Sequence, residues 1–347
     1  MCRAATGARG SKAGAMARGR AYRTTAMKAV VQDRYGPPEV LRVDDVERPV
    51  PKDDEILVRV RASTVSQSDT HIRRPNPQFW RLLFGFRRPR WRSLGVEFAG
   101  DVEAVGAAVT EFKVGDAVFG HPSTWIGTHA EYICVRHSAP IALKPTNMRY
   151  EEAAAVCDGA AQALASLRQA GATQGRRIVV YGASGSLGTA AVQLAKHFGA
   201  HVTGVCGTAH VDLVRSLGAD EVVDYRKDDF TKSGPAYDAI IDAVGKYSFR
   251  RGRPALKPGG VYVATDGGRF LVETFLWLAA TRVAGSRKVR IAAARRNKPD
   301  VLFLKELSEA GEFRAVIDRR YPMSEVVEAH RYVESWRKAG NVVLTIP

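Results

Sequence analysis

Three glycines at equal spacing, Gly182, Gly185 and Gly188, carry the clearest chemistry in the chain, inside IVVYGASGSLGTAAVQLAKHFG at residues 178–199. Ile178, Val179, Val180 and Tyr181 form a short run without alternation, the pattern of a strand covered on both faces. After Gly188 the apolar residues resume with helical spacing. A strand, a tight turn and a helix are what the diphosphate of a dinucleotide requires. The first glycine permits the bend, the second lets the diphosphate reach the main chain, and the third lets the helix pack against the strand. Free N–H groups at the helix start, backed by the positive end of the helix dipole, then face the negative charge. Gly182, Ser184, Gly185, Ser186, Leu187 and Gly188 are therefore candidate cofactor-binding residues.

Such a turn needs a sheet behind it. Further apolar runs begin at His201, Glu221, Tyr237 and Val261, separated by helix-compatible stretches that close on glycine. This repetition calls for an α/β fold with a right-handed, doubly wound parallel sheet of Rossmann type. Ahead of it, MKAVVQ from Met27, residues 39–43 and EILVRVRA at 55–62 read as strands separated by proline-rich turns. Residues 97–105, 114–119 and 130–135 continue that pattern into a mainly β domain of partly open barrel type.

The totals limit the function classes. At 347 residues there is room for two cores. No window is apolar enough for a spanning helix. The four cysteines are scattered with no CxxC pair, which points to reduced thiols in a cytosol-like compartment. The net charge of +16 is uneven. Residues 1–26 carry six basic residues and no acid, residues 73–92 seven arginines and no acid, and residues 282–298 another seven basic residues without an acid. With no nucleic-acid module present, this distribution is not read as a nucleic-acid footprint. Residues 1–26 have no hydrophobic periodicity and are expected to be disordered. They suit either a mitochondrial presequence or an upstream start with Met16 or Met27 as the true one. The second is preferred because no amphipathic face is present, so the expected location is cytoplasmic, or mitochondrial if the leader is genuine.

MKAVVQDRYGPPEVLRV, GVEFAGDVEAVG at 95–106, FKVGDAVFG at 112–120, the YGASGSLG turn and GADEVVDY at 218–225 resemble the medium-chain dehydrogenase/reductase superfamily. Among its branches the chain is most similar to the zinc-free NADPH:quinone oxidoreductases, the zeta-crystallin-like group. After the disordered basic tail at 1–26, the resemblance, which runs from Met27 to Pro347, implies a GroES-like catalytic domain at 27–147 and a Rossmann domain at 148–298. A return to the catalytic domain follows at 299–347, with a helix over 319–330 and a last strand at 340–346.

Zinc-dependent relatives place a cysteine and a histidine where this chain has Ser66 and Val96, neither a good zinc ligand, so no metal is expected. Without a Lewis acid, alcohol oxidation lacks alkoxide stabilisation. An electron-poor quinone or α,β-unsaturated carbonyl needs only hydrogen-bond polarisation of its oxygen. The loop that replaces the zinc loop offers Ser66, Gln67 and His71 as candidate catalytic donors, with Asp69 structural. At the end of the second Rossmann strand, residues 205–210 contain no acid, which favours NADPH. Thr208, His210 and Tyr225, with Arg226 or Lys227, are the candidates for its extra phosphate. The resemblance places Gln162, Asp242 and Val244 around the nicotinamide, with Asp242 read as orienting a loop.

The expected partners are a small lipophilic electron acceptor and, by analogy, a second copy in a homodimer. The aromatic and arginine runs at 73–92 and 270–298 also suggest contact with an anionic membrane. Two alternatives accompany the quinone or alkenal reductase: an enoyl-thioester reductase, and a non-catalytic NADPH-binding scaffold at a membrane surface.

Overall fold

The computed structural model describes residues 26–75, 81–124, 126–234, 236–265 and 270–347. The expectation of disorder at 1–26, apart from Ala26, and the aromatics Phe79 and Trp80 lie outside them.

The chain begins with seven strands: β1 (Ala26–Val31), β2 (Arg42–Glu47), β3 (Glu55–Val65), β4 (Phe98–Val105), β5 (Ala117–Gly120), β6 (Tyr132–Arg136) and β7 (Ile141–Leu143). β1 and β2 pair antiparallel. The long β3 is the hub of the second sheet, pairing with both β4 and β6. Of residues 39–43, expected as a strand, only Arg42 and Val43 belong to one. Pro37 and Pro38 fix their own φ and lack N–H donors, so residues 38–40 wind into a 3₁₀ turn and β2 starts only at Arg42.

The next six strands are β8 (Arg177–Tyr181), β9 (His201–Cys206), β10 (Glu221–Asp224), β11 (Tyr237–Asp242), β12 (Leu256–Ala264) and β13 (Lys288–Ile291). All are parallel, in the order β10-β9-β8-β11-β12-β13. The order reverses between β8 and β11, which is where an open α/β sheet presents its crevice to a dinucleotide. Ile178, Val179 and Val180 are fully buried, as their unalternated pattern requires. β13 was not anticipated, because its KVRI reads as part of a basic run. It is an edge strand, and Arg290 faces solvent.

The last two strands, β14 (Ile317–Pro322) and β15 (Asn341–Thr345), rejoin the first part of the chain, with β15 pairing antiparallel to β3. The helix expected over 319–330 is shorter and later, at Val326–Glu334, because residues 319–322 extend β14. This helix is fastened to Gln67–Arg73, the helix of the loop that replaces the zinc loop, by an ion pair. The Arg73 side chain is fully buried, donates to Glu334 and also donates to the Gly36 carbonyl at 2.6 Å. Burial pulls the Arg73 guanidinium below its ordinary pKa, while the Glu334 charge opposes that shift.

The pair should therefore be asymmetric under mutation. Glu334→Leu strands a buried cation and is expected to cost about 3–5 kcal/mol, whereas Arg73→Met with Glu334→Leu should recover most of that loss. Urea denaturation of both chains checks this, and a double variant no more stable than Glu334→Leu would contradict it.

Candidate nucleotide and substrate cleft

The glycine turn follows β8, and close contacts demand glycine at two of its three positions. Gly182 has φ +83°, and a Cβ there would lie 2.5 Å from Val244 Cγ1. Val244 thus packs directly on the turn. A Cβ on Gly188 would fall 2.1 Å from the Gly182 carbonyl oxygen and 2.7 Å from Ala183 Cα, so only glycine lets the helix Ser186–His197 sit this close. Gly185 differs. It has ordinary extended angles, and a Cβ there would meet nothing nearer than the Gly182 oxygen at 3.7 Å. The space beside it is a cradle that any side chain would begin to fill, at the start of a helix whose first N–H groups have no partner within the helix. These residues fit a dinucleotide diphosphate.

The end of the chain closes the far side of this turn. Gly340 N–H donates to the Ser184 carbonyl at 2.7 Å, and the Ser186 hydroxyl donates to Asn341 Oδ1 at 2.5 Å. Asn341 in turn donates to the carbonyls of Ala155 and Val316. Lys338 extends its ammonium onto the Gly340 carbonyl at 2.6 Å. Burial pushes this group down to about 8, against the pull of Asp318, Asp158 and Glu97.

At the other end of the crevice, Thr208 and Tyr225 come together. The Tyr225 hydroxyl lies over Gly207, and the Thr208 hydroxyl donates to Asp224 at 2.6 Å. His210 ends the 3₁₀ turn that follows and is half-buried. Asp224 is an acid that residues 205–210 do not contain. It arrives because β10 lies beside β9 with Asp224 in register with Cys206. The Thr208 hydroxyl bond, the Arg226 N–H and the nearby Lys227 hold its carboxyl below the usual range.

Asp242 is buried and accepts from the N–H groups of Val244 and Tyr247 and from the Tyr262 hydroxyl, which fixes the loop after β11. Gln162 spans to the segment after β13: its amide donates to the Ala292 carbonyl at 2.8 Å and accepts from Ala294 N–H at 3.0 Å. Leu187 is half-buried at the helix start.

On the catalytic side, Ser66 is the N-cap of Gln67–Arg73. Its hydroxyl and N–H both donate to Asp69. The other Asp69 oxygen accepts from Gly95 N–H, which pins the loop to β4's approach. Gln67 donates to the Val333 carbonyl and accepts from Thr70, while His71 is exposed. The residues do not fit zinc: the Ser66 hydroxyl is committed to the cap, and Val96 offers an alkyl group. Among the described residues there is no group of three or more His, Cys, Asp or Glu that would hold a metal.

A buried polar seam joins the two sides, and the sequence reading missed it. Glu97 is 1% exposed and accepts from the Thr64 hydroxyl and from Asp158 N–H, each at 2.6 Å. Asp158 pairs with Arg296 at 3.3 Å. Burial, aided by the Asp158 charge, pushes Glu97 up to about 8. Burial likewise raises the neighbouring Cys157 thiol and, with Arg296, pushes His121 down to about 4. The one local signal was an acid inside the apolar run GVEFAG; Lys338 and Asn341 gave none.

Two experiments follow. Gly188→Ala is expected to destabilise by about 1–3 kcal/mol through overpacking. Gly185→Val should leave the melting temperature unchanged yet weaken NADPH binding at least about tenfold, because it fills the cradle and nothing else. Equal effects of the two on both measurements would contradict the division of roles. The second experiment concerns pH. With its folded pKa above the unfolded 4.5, the stability linked to Glu97 is present at low pH and lost as pH rises towards 8. His121 acts at the opposite end: its contribution is present above 6.5 and lost as pH falls towards 4. The melting temperature of Glu97→Gln should therefore gain on the wild type between about pH 4.5 and 8, and parallel profiles over that window would refute the assignment.

Two family models match the chain, an alcohol dehydrogenase GroES-like domain over residues 52–146 and a zinc-binding dehydrogenase domain over residues 217–344. The 2-methylene-furan-3-one reductase of Solanum lycopersicum is 33% identical over 333 residues, covering 92% of this chain and 79% of that protein. The chloroplastic NADPH-dependent alkenal/one oxidoreductase of Arabidopsis thaliana is 30% identical over 331 residues, covering 92% and 79%. Among solved structures, the quinone oxidoreductase from Coxiella burnetii superposes with a TM-score of 0.80 at 26% identity, covering 93% of this chain and all of that one. A nucleotide turn on a 3-2-1-4-5-6 sheet, a GroES-like partner and relatives of this length agree, and the chain belongs to the medium-chain dehydrogenase/reductase superfamily as a quinone oxidoreductase-like oxidoreductase using a nicotinamide cofactor.

Proposed function

We propose that the protein transfers a hydride from NADPH to a quinone or an α,β-unsaturated carbonyl, without zinc. The observation that carries this reading is the pairing of an open diphosphate cradle at Gly185 with a substrate loop whose metal positions are Ser66 and Val96. When bound, NADPH supplies the hydride from C4 of its nicotinamide; the protein has to hold it, orient the acceptor and polarise the acceptor oxygen.

This chain's residues divide those tasks. The turn at 182–188 and the Lys338 ammonium beside it favour the diphosphate by charge and by free N–H groups. Arg226 and Lys227 are exposed next to Thr208 and Tyr225 and supply the positive charge a 2′-phosphate needs. Asp224 is committed to Thr208, which limits its reach towards a ribose hydroxyl and so supports NADPH over NADH. The name of the Arabidopsis relative gives the same cofactor. Of the three loop donors, Ser66 and Gln67 are already bonded to Asp69, Thr70 and Val333. His71 is exposed and is the residue we assign to the acceptor oxygen.

Purified protein should oxidise NADPH in the presence of a quinone or an enal, more slowly with NADH, and more slowly still with an enoyl thioester. Prior dialysis against a strong chelator should leave the rate unchanged. Preference for the thioester would move the protein to the alternative chemistry. Binding of NADPH without turnover on any of the three acceptors, or a chelator-sensitive rate, would sink the proposal.

A further inference from the structure

The helix Leu271–Val283 is mounted with its polar side inward. Thr274 and Thr281 are its buried residues. Thr281 is tied to the sheet edge: its hydroxyl accepts from Val289 N–H at 3.0 Å and its carbonyl accepts from the Lys288 ammonium at 2.6 Å. Trp277 packs edge-on against Phe249 at 5.2 Å between ring centroids. The helix is thus anchored on β13 and on the short helix Phe249–Gly252. The opposite side carries Val272, Phe275, Leu276, Ala279, Ala280 and Val283, recurring with the three- and four-residue spacing of one helical face. That face is in solvent: Val272 is 74% exposed, Phe275 54%, Leu276 67% and Val283 91%. An amphipathic helix of a folded domain normally turns this stripe to the core.

The exposed charges on the elements that carry the helix are cationic. Arg250, Arg251 and Arg253 are exposed beside Phe249, and Arg282 and Arg290 are exposed at the end of the helix and on the edge strand. From this we propose that Leu271–Val283 is a membrane-docking helix, which lies in the plane of an anionic lipid surface with its stripe below the headgroups and its basic rim among them.

Charge and shape select that occupant. A second copy on a two-fold axis would press this face against itself and oppose two cationic rims, which is repulsive. A helical peptide ligand needs a groove with walls, whereas Val272, Phe275, Leu276 and Val283 each stand more than half exposed. A bilayer of anionic lipid accepts both the exposed apolar stripe and the positive rim. The inference stands on the surface alone and is read without any turnover, so it survives or fails separately from the reaction proposed above.

The test is co-sedimentation of the full chain with phosphatidylcholine vesicles, with and without one third phosphatidylglycerol, at low and high salt. Binding is expected to the phosphatidylglycerol vesicles at low salt and to weaken in high salt. The exposed-face variant Phe275→Ser with Leu276→Ser, and separately Arg282→Glu, should each lower the bound fraction, the double variant by about tenfold or more, with melting temperatures unchanged. Wild-type protein remaining in the supernatant overturns the proposal, as does equal sedimentation of wild type and the double variant. A wild-type dimer in sedimentation equilibrium that the double variant splits, with no vesicle binding, assigns the face to a second copy instead.

Discussion

A carboxylate shut away from water fixes the relation between the two halves of the molecule. Glu97 belongs to the approach to β4, yet half of its hydrogen bonding comes from the first turn of the helix Cys157–Ala170, through Asp158 N–H. Leaving that group unsatisfied would cost several kcal/mol, so the helix start has little freedom to move away. One residue on, Gly159 abuts the turn, where a Cβ would come within 2.4 Å of Ser186 Oγ. Ser186 then bonds Asn341 of β15, and β15 pairs with β3, which carries Thr64, the other partner of Glu97. The contacts form a closed ring around the cleft, each link between segments far apart in sequence.

That geometry explains what could be read from the chain and what could not. The parallel sheet was legible because each buried strand is a short apolar block and each connection ends on glycine, both local features. The three glycines were legible for the same reason, and the contact at Gly188 involves Gly182 and Ala183 of the same turn, whereas the one at Gly182 comes from Val244 after β11 and could not be read locally. β13 was obscured by the basic residues of an exposed edge, and β2 was displaced by two prolines whose effect reaches only three residues. The seam of Glu97, Asp158, Arg296 and Lys338 could not be found by pattern, since its members are separated by up to 241 positions and meet only when the last strands return. Asp224 shows the same limit on a smaller scale. Residues 205–210 contain no acid, but a neighbouring parallel strand delivers one to Thr208.

The cleft also divides rigid parts from available ones. On the catalytic side Ser66 and Gln67 are absorbed into the cap and packing of their own helix, as Asp69 is absorbed into holding Gly95. Locking those groups keeps the loop's shape but leaves few free donors, which suits an acceptor that needs polarising more than it needs a strong acid.

The bonds from Gly340 to Ser184 and from Ser186 to Asn341 have a consequence for how the protein comes into being. A ribosome delivers the chain from its first residue, so β8 to β13 emerge well before the strand that secures the bend between β8 and the following helix. A nascent chain halted anywhere between residues 292 and 339 has the whole parallel sheet but lacks the clasp on its nucleotide bend. Completion of the binding site therefore waits for Gly340 and Asn341, which fasten a part of the molecule made more than 150 positions earlier.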